Sequence, residues 1–110
     1  MATITVPGAV SGGTLGISAK ASITNGNQVV WQIPPRIGVC TVQVVPVGSA
    51  TYAAQVTANP IADVENDTAT WFDVITGTAA AQQAIFASVT AIKVLQSAGA
   101  GSLVACIRGQ

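Results

Sequence analysis

The sequence contains no histidine, and that absence removes the residue most often used as a general base or a metal ligand near neutral pH. The chain also has no G-x-S-x-G nucleophile turn, no phosphate-binding loop and no dinucleotide-binding glycine pattern. A nucleophilic cysteine would need an activating base, and none is visible in the sequence near Cys40 or Cys106. We therefore predict that the protein is not an enzyme.

Charge is scarce as well. Charged residues make up 7% of the 110 residues and balance to a net charge of zero, whereas about 25% is typical of soluble domains. Without a basic patch, nucleic acid is not an expected partner. Half of the residues are hydrophobic, and a net charge near zero promotes association. We predict a homo-oligomeric subunit, with a trimer favoured; the alternative is a free domain with a neutral polar surface.

A long uninterrupted apolar segment is missing. The most apolar region, Ala79 to Leu95, is broken by polar residues and by Lys93, so we predict no membrane span and no membrane partner. The first five residues lack the basic start and apolar stretch of a signal peptide. We therefore expect the protein to be made and used in a cytoplasm.

What the sequence does contain is a series of short runs rich in Val, Ile, Thr and aromatic residues, separated by turn residues. This pattern is typical of all-β proteins. The predicted strands are Ile17–Ile23, Gln28–Ile33, Ile37–Val45, Thr51–Ala58, Thr70–Ile75, Val89–Leu95 and Ser102–Arg108. For residues 17–110 we expect one β-sandwich or jelly roll of about seven to eight short antiparallel strands. Helix formers at Ala80 to Phe86 predict a short helix or turn there.

Residues 1–16 differ from the rest of the chain. They contain one proline, four glycines and no charge, which weakens any helix or strand. We predict an extended N-terminal arm that is either disordered alone or ordered against a neighbouring subunit.

Three carboxylates alternate along the most polar loop, at Asp63, Glu65 and Asp67. An EF-hand calcium loop would require glycine at its sixth position and glutamate at its twelfth, but Thr68 and Val74 occupy those positions. We predict a solvated loop and no metal or other cofactor, with a structural calcium site as the alternative.

The two cysteines, the two tryptophans and Phe72 lie in predicted strands. Two buried free thiols are expected for Cys40 and Cys106, and a disulfide is the alternative. Trp31, Trp71 and Phe72 are the candidate interface residues, because buried aromatics dominate interface energetics. Burial of the same residues in the core competes with that interpretation.

Four segments resemble recurring strand sequences of one group of proteins. They are a "TVQV" strand at Cys40–Val44, a "tWvdv" strand at Thr70–Val74, an "aiRv" strand at Ala91–Val94 and a "Gsltv…gq" ending over residues 101–110. Together they resemble the small β-sandwich virion proteins of tailed bacteriophages, which include capsid cement or decoration proteins and fibre or collar modules. Two features depart from that pattern: residues 46–50 replace a "gSnDg" turn, and Lys93 replaces an arginine.

The resemblance implies a virion structural protein, assembled in the host cytoplasm, that binds and stabilises the head shell as a symmetric homo-oligomer. Its partners would be its own copies and the major capsid protein or other virion proteins. A fibre, collar or tail module is the alternative within this class. A carbohydrate-binding β-sandwich is the alternative from another class, with Trp31, Tyr52 or Trp71 as stacking platforms.

Overall fold

The computed structural model describes residues 2–5, 17–33, 37–85 and 89–109. These residues form nine strands and one short helix. The elements are β1 (Ala2–Thr5), β2 (Ile17–Thr24), β3 (Asn27–Gln32), β4 (Cys40–Val47), β5 (Thr51–Thr57), α1 (Ile61–Glu65), β6 (Phe72–Gly77), β7 (Ala81–Ile85), β8 (Ala91–Ala98) and β9 (Ser102–Gly109). Within these ranges, no helix has the length and apolar character needed to cross a bilayer.

The strands form two sheets, one with the order β1-β3-β8-β5-β6 and one with the order β2-β9-β4-β7. Neighbouring strands are antiparallel except β1, which runs parallel to β3. Among the described strands, only β5 and β6 are consecutive along the chain and also paired. The chain therefore passes repeatedly from one sheet to the other, and the predicted all-β sandwich is confirmed.

Alternation of side chains across each strand builds the core between the sheets. Inward-facing residues of the central strands are 7% exposed or less, whereas their neighbours along each strand face outward. The largest fully buried core side chains include Trp31, Ile23, Ile92, Leu103, Ile107, Val29, Val42, Val44 and Val94. Full burial of one such aliphatic side chain contributes about 1.5–3 kcal/mol. The core therefore fixes which face of each strand is left for other contacts.

The turn between β8 and β9 is fixed by a buried amide. Gln96 is fully buried, and its Nε2 donates to the carbonyl oxygens of Ala98, Gly99 and Gly101 at 3.3, 3.2 and 3.0 Å. A Cβ at Gly101 would lie 2.9 Å from the backbone nitrogen of Ser49, closer than side chains tolerate. This turn therefore packs directly against the connection between β4 and β5, and glycine leaves the space for it.

Two local predictions are wrong. Residues 81–85 form strand β7, paired with β4, where a short helix or turn was expected. The outer edge of β4 supplies backbone partners there, and tertiary pairing overrides helix propensity. The predicted polar loop begins with helix α1, which ends in a Schellman motif: Asp67 has a φ of 58°, and the Thr68 N–H donates to the Asp63 carbonyl at 2.8 Å.

The predicted N-terminal arm is described only in part. The backbone of residues 2–5 is the edge strand β1, which extends the five-stranded sheet of its own chain. Residues 1 and 6–16 lie outside the described residues. The strand count reaches nine because β1 falls in the predicted arm and β7 in the predicted helix.

Candidate interaction surface

The outer faces of the two sheets differ in how far other segments of the chain cover them. On the five-stranded sheet, Val30 and Gln28 face away from the core, yet they are only 5% and 8% exposed. The segment from α1 to Trp71 lies over them, and Val64 and Trp71 share a cavity of about 260 Å³ with both residues. On the four-stranded sheet, Lys20 and many other outward residues are exposed. We call this second surface the open face.

Strand register arranges the open face in cross-strand rows. From one end to the other, the rows are Ser18–Arg108–Thr41–Ala84, Lys20–Cys106–Gln43–Gln82, Ser22–Val104–Val45 and Thr24–Ser102–Val47. The first two rows contain the two cationic side chains of this face, Lys20 and Arg108, and we call these rows the cationic half. The last two rows include Val45 and Val47, which are 37% and 55% exposed. We call these two rows the apolar half.

The cationic half contains an open cleft of about 690 Å³. Lys20 and Arg108 line it together with the amides of Gln43 and Gln82 and the thiol of Cys106, and no Asp or Glu side chain lines it. Among the described residues, Lys20 and Arg108 have no ion-pair partner. Two uncompensated cations beside neutral hydrogen-bond donors favour an anionic contact group.

The chain's four carboxylates are confined to residues 63–73, which we call the acidic segment. It lies on the opposite side of the sandwich, because Glu65 and Asp67 line the cavity over the five-stranded sheet. Two of the carboxylates have amide partners: Asn59 Nδ2 donates to Asp63 at 3.2 Å, and Gln55 Nε2 donates to Asp73 at 2.8 Å. Glu65 and Asp67 are exposed.

The described residues of the acidic segment do not bring several metal ligands together. Among the described residues, no three side chains of His, Cys, Asp or Glu come together to hold an ion. Asp63 and Glu65 lie on α1, whereas Asp67 lies in the turn that ends it. The alternating pattern in the sequence therefore does not become a ring of carboxylates.

The aromatic residues proposed from the sequence have different positions. Trp31 is 1% exposed and lies in the core, so its ring is not available to a partner. Trp71 is half-buried, and the Lys93 Nζ lies 4.4 Å from its ring centroid. Phe72 is 65% exposed and begins the edge strand β6. Tyr52 is 2% exposed and donates its hydroxyl to the Ala79 carbonyl at 2.8 Å.

These positions weaken the carbohydrate-binding alternative. A sugar platform requires an exposed aromatic ring face. The rings of Trp31 and Tyr52 are in the core, and Lys93 occupies one face of Trp71.

Both cysteines are free thiols. Cys40 faces the core and is buried, whereas Cys106 faces outward into the cleft. Cys106 pairs in register with Gln43, and Cys40 pairs with Gly109, so the two thiols lie on opposite faces of the sheet. Burial raises the pKa of the Cys40 thiol, while a backbone hydrogen bond at Thr41 lowers it.

Comparison with known proteins supports the fold. No protein-family model and no curated protein matches this chain. One similar solved structure is PliG from Aeromonas hydrophila, a periplasmic inhibitor of g-type lysozyme, with a TM-score of 0.51, 21% identity, and coverage of 99% of this chain and 98% of that one. An oxalate oxidase structure has a TM-score of 0.52 at 10% identity; the match covers 86% of this chain and 41% of that one. At these identities the likeness shows a shared β fold alone.

Proposed function

We propose that this protein is a non-enzymatic structural subunit of a tailed-bacteriophage virion, and specifically a capsid cement or decoration protein that binds and stabilises the head shell. The observation that carries the proposal is the open face, whose apolar half leaves Val45 and Val47 exposed side by side on neighbouring rows. Neighbouring exposed apolar side chains favour contact with a partner.

Two further features support it. The chain carries few charges and no net charge, so association with a neighbour meets little electrostatic repulsion. The strand sequences at residues 40–44, 70–74, 91–94 and 101–110 resemble those of small phage virion proteins. The partners in this proposal are other copies of the subunit and the major capsid protein, and the location is the virion, assembled in the host cytoplasm.

The mechanism is passive adhesion. A flat sheet face repeats the same contact at every symmetric position on a shell. Many copies acting together stabilise the shell even when each contact is weak, because a bound neighbour raises the effective concentration of the next contact.

The first experiment compares particles with and without the protein during heating and dilution. Particles lacking it should rupture at a lower temperature. Particles that are equally robust but fail to attach to host cells would contradict the cement role and support a fibre, collar or tail module.

A second experiment tests the surface. Val45→Ser should reduce retention of the added protein on particles that lack it, because it removes an exposed apolar side chain from the apolar half. Ile61→Ser is the matched control: Ile61 is 40% exposed, close to the 37% of Val45, but it lies on α1 on the other side of the sandwich. Equal retention of both variants would contradict the role of the open face.

A further inference from the structure

We propose that the cationic half of the open face binds the acidic segment of a second copy, so that subunits associate head to tail. This inference rests on the proposed function, since it names the contact by which copies of the subunit meet. The starting observation is a segregation of charged side chains: Lys20 and Arg108 line a cleft without Asp or Glu side chains, and all four Asp and Glu residues lie within residues 63–73.

The two surfaces cannot meet within one chain. Lys20 and Arg108 face outward from the four-stranded sheet, whereas Glu65 and Asp67 lie over the outer face of the five-stranded sheet. The whole core separates them. Contact between them therefore requires two copies, and the interface is heterologous: one surface of a subunit meets a different surface of the next. Such contacts close into a ring when the rotation between copies permits, so a cyclic trimer is compatible with this geometry.

The acidic segment contains an ordered, exposed turn at residues 65–67, which we call the knob. Glu65, Asn66 and Asp67 are exposed where α1 ends. The turn is held by two backbone hydrogen bonds, from the Thr68 N–H to the Asp63 carbonyl at 2.8 Å and from the Asp67 N–H to the Val64 carbonyl at 3.3 Å. A loop that is already ordered loses little conformational entropy on binding.

The base of the knob is anchored to its own sheet. Lys93 contacts Trp71 from β8, and it lines the same cavity as Glu65 and Asp67. The carboxylates therefore project from a fixed platform, with exposed faces available to another molecule.

The cleft suits such a knob. Its volume is about 690 Å³, and it is open to solvent along the sheet face. The Arg108 guanidinium can bind a carboxylate through two parallel hydrogen bonds. Lys20 adds a second positive charge, and the Gln43 and Gln82 amides supply neutral donors on the same row as Lys20. Carboxylate oxygens are the acceptors that this set of donors fits.

A second copy fits better than nucleic acid does. Two cations on one sheet face neutralise few phosphates, whereas each copy of this chain carries both complementary surfaces at zero net charge. Self-association of this kind should weaken with salt, because screening acts on exposed charges over about 10 Å at 0.1 M ionic strength.

The test is a charge-reversal exchange followed by analytical ultracentrifugation of the full-length chain. Arg108→Glu and Glu65→Lys should each weaken self-association about tenfold, equivalent to 1.4 kcal/mol. An equimolar mixture should recover association as mixed pairs of the two variants, whereas a mixed ring of three would keep one mismatched contact. The control partner carries Asn25→Lys and Ser97→Lys, which give the same net charge as Glu65→Lys at exposed positions outside the acidic segment. Mixed with Arg108→Glu, this control should not recover association.

Several results would overturn the inference. Wild-type association that is unchanged by both reversals would place the self-contact elsewhere, while the cement role would still stand on the particle experiment. If Arg108→Glu removes shell binding but not self-association, the cationic half meets the shell protein. Equal recovery by the control partner would mean that net charge alone drives association. Circular dichroism of each variant shows whether a loss reflects unfolding.

Discussion

The ammonium group of Lys93 lies over the ring of Trp71, with its Nζ 4.4 Å from the ring centroid. Lys93 lies on the central strand β8, and Trp71 immediately precedes β6. The contact therefore holds the segment that follows α1 against the outer face of the five-stranded sheet. Burial lowers the pKa of Lys93, and the carboxylate of Asp67 acts in the opposite direction. A cation–π contact gives the charged lysine a partner in this half-buried position.

Removal of that ring should loosen the cover of the five-stranded sheet. Trp71→Ala should lower the free energy of unfolding by about 1–3 kcal/mol, because the cation–π contact is lost and Val30 becomes exposed. Phe72→Ala is the neighbouring control and should change it by less than about 0.5 kcal/mol, since an exposed side chain has little packing to lose. Urea unfolding of both variants measures the difference. Equal losses would show that Trp71 does not hold the segment.

The glycine of the β8–β9 turn provides a test of the contact between turns. Gly101→Ala would force the new methyl group against the Val47 carbonyl and the backbone of Ser49, so it should cost about 3 kcal/mol or more. Gly38→Ala is the control, because a Cβ at Gly38 meets nothing within 4 Å. That variant should be neutral or slightly stabilising through its effect on the unfolded chain. Differential scanning calorimetry compares them, and similar melting temperatures would contradict the close approach of the two turns.

Much of the fold could be predicted because its strands alternate. The run from Ile17 to Ile23 already places Ser18, Lys20 and Ser22 on one face, and the structure confirms β2 there. Strand β7 could not be recognised, since Ala, Gln and Ile between 81 and 85 are compatible with a helix when the free edge of β4 is unknown. Local sequence does not report which edge is available for pairing.

The set of residues that meet on the open face could not be predicted from the sequence for a similar reason. Lys20 and Arg108 are far apart in sequence and come together only through the register of β2 with β9, in which Lys20 pairs with Cys106 and Ser18 with Arg108. A residue's face can be predicted from its period, but its cross-strand neighbour depends on the partner strand. For Trp31, the side of the sheet was the missing information. An aromatic residue in a predicted strand is compatible with both the core and an interface until the side that it faces is known.

The buried thiol of Cys40 should make the protein less stable at alkaline pH. Because burial raises the pKa of this group in the folded state, the folded chain retains its proton when the unfolded chain has released it. The stabilisation is complete below the thiol's ordinary value of 9.0 and is lost as pH rises above it. Cys40→Ala should therefore show a smaller fall in melting temperature from pH 8 to pH 10 than the wild type.

Cys106→Ala is the matched control for the loss of a thiol. Cys106 faces the cleft and is half-buried, so this variant shows how removal of a thiol outside the core changes the melting temperature. Tyr52, whose pKa is also raised by burial, contributes equally in all three proteins. An alkaline fall that is the same in Cys40→Ala as in the wild type would contradict the assignment.

Phe72 should matter for adhesion and little for stability. Its ring is 65% exposed at the start of β6, and among the described strands β6 pairs only with β5, so its other edge is open. Burial of a phenylalanine ring at an interface contributes about 1.5–3 kcal/mol, so Phe72→Ala should weaken retention on particles that lack the protein by about tenfold or more. Thr76→Ala, at another exposed position of the same strand, is the control and should bind as the wild type does. Sedimentation of particles with fluorescently labelled protein measures retention. Equal retention of the two variants at unchanged melting temperature would remove the β6 edge from the interface and leave the open face as the contact with the shell.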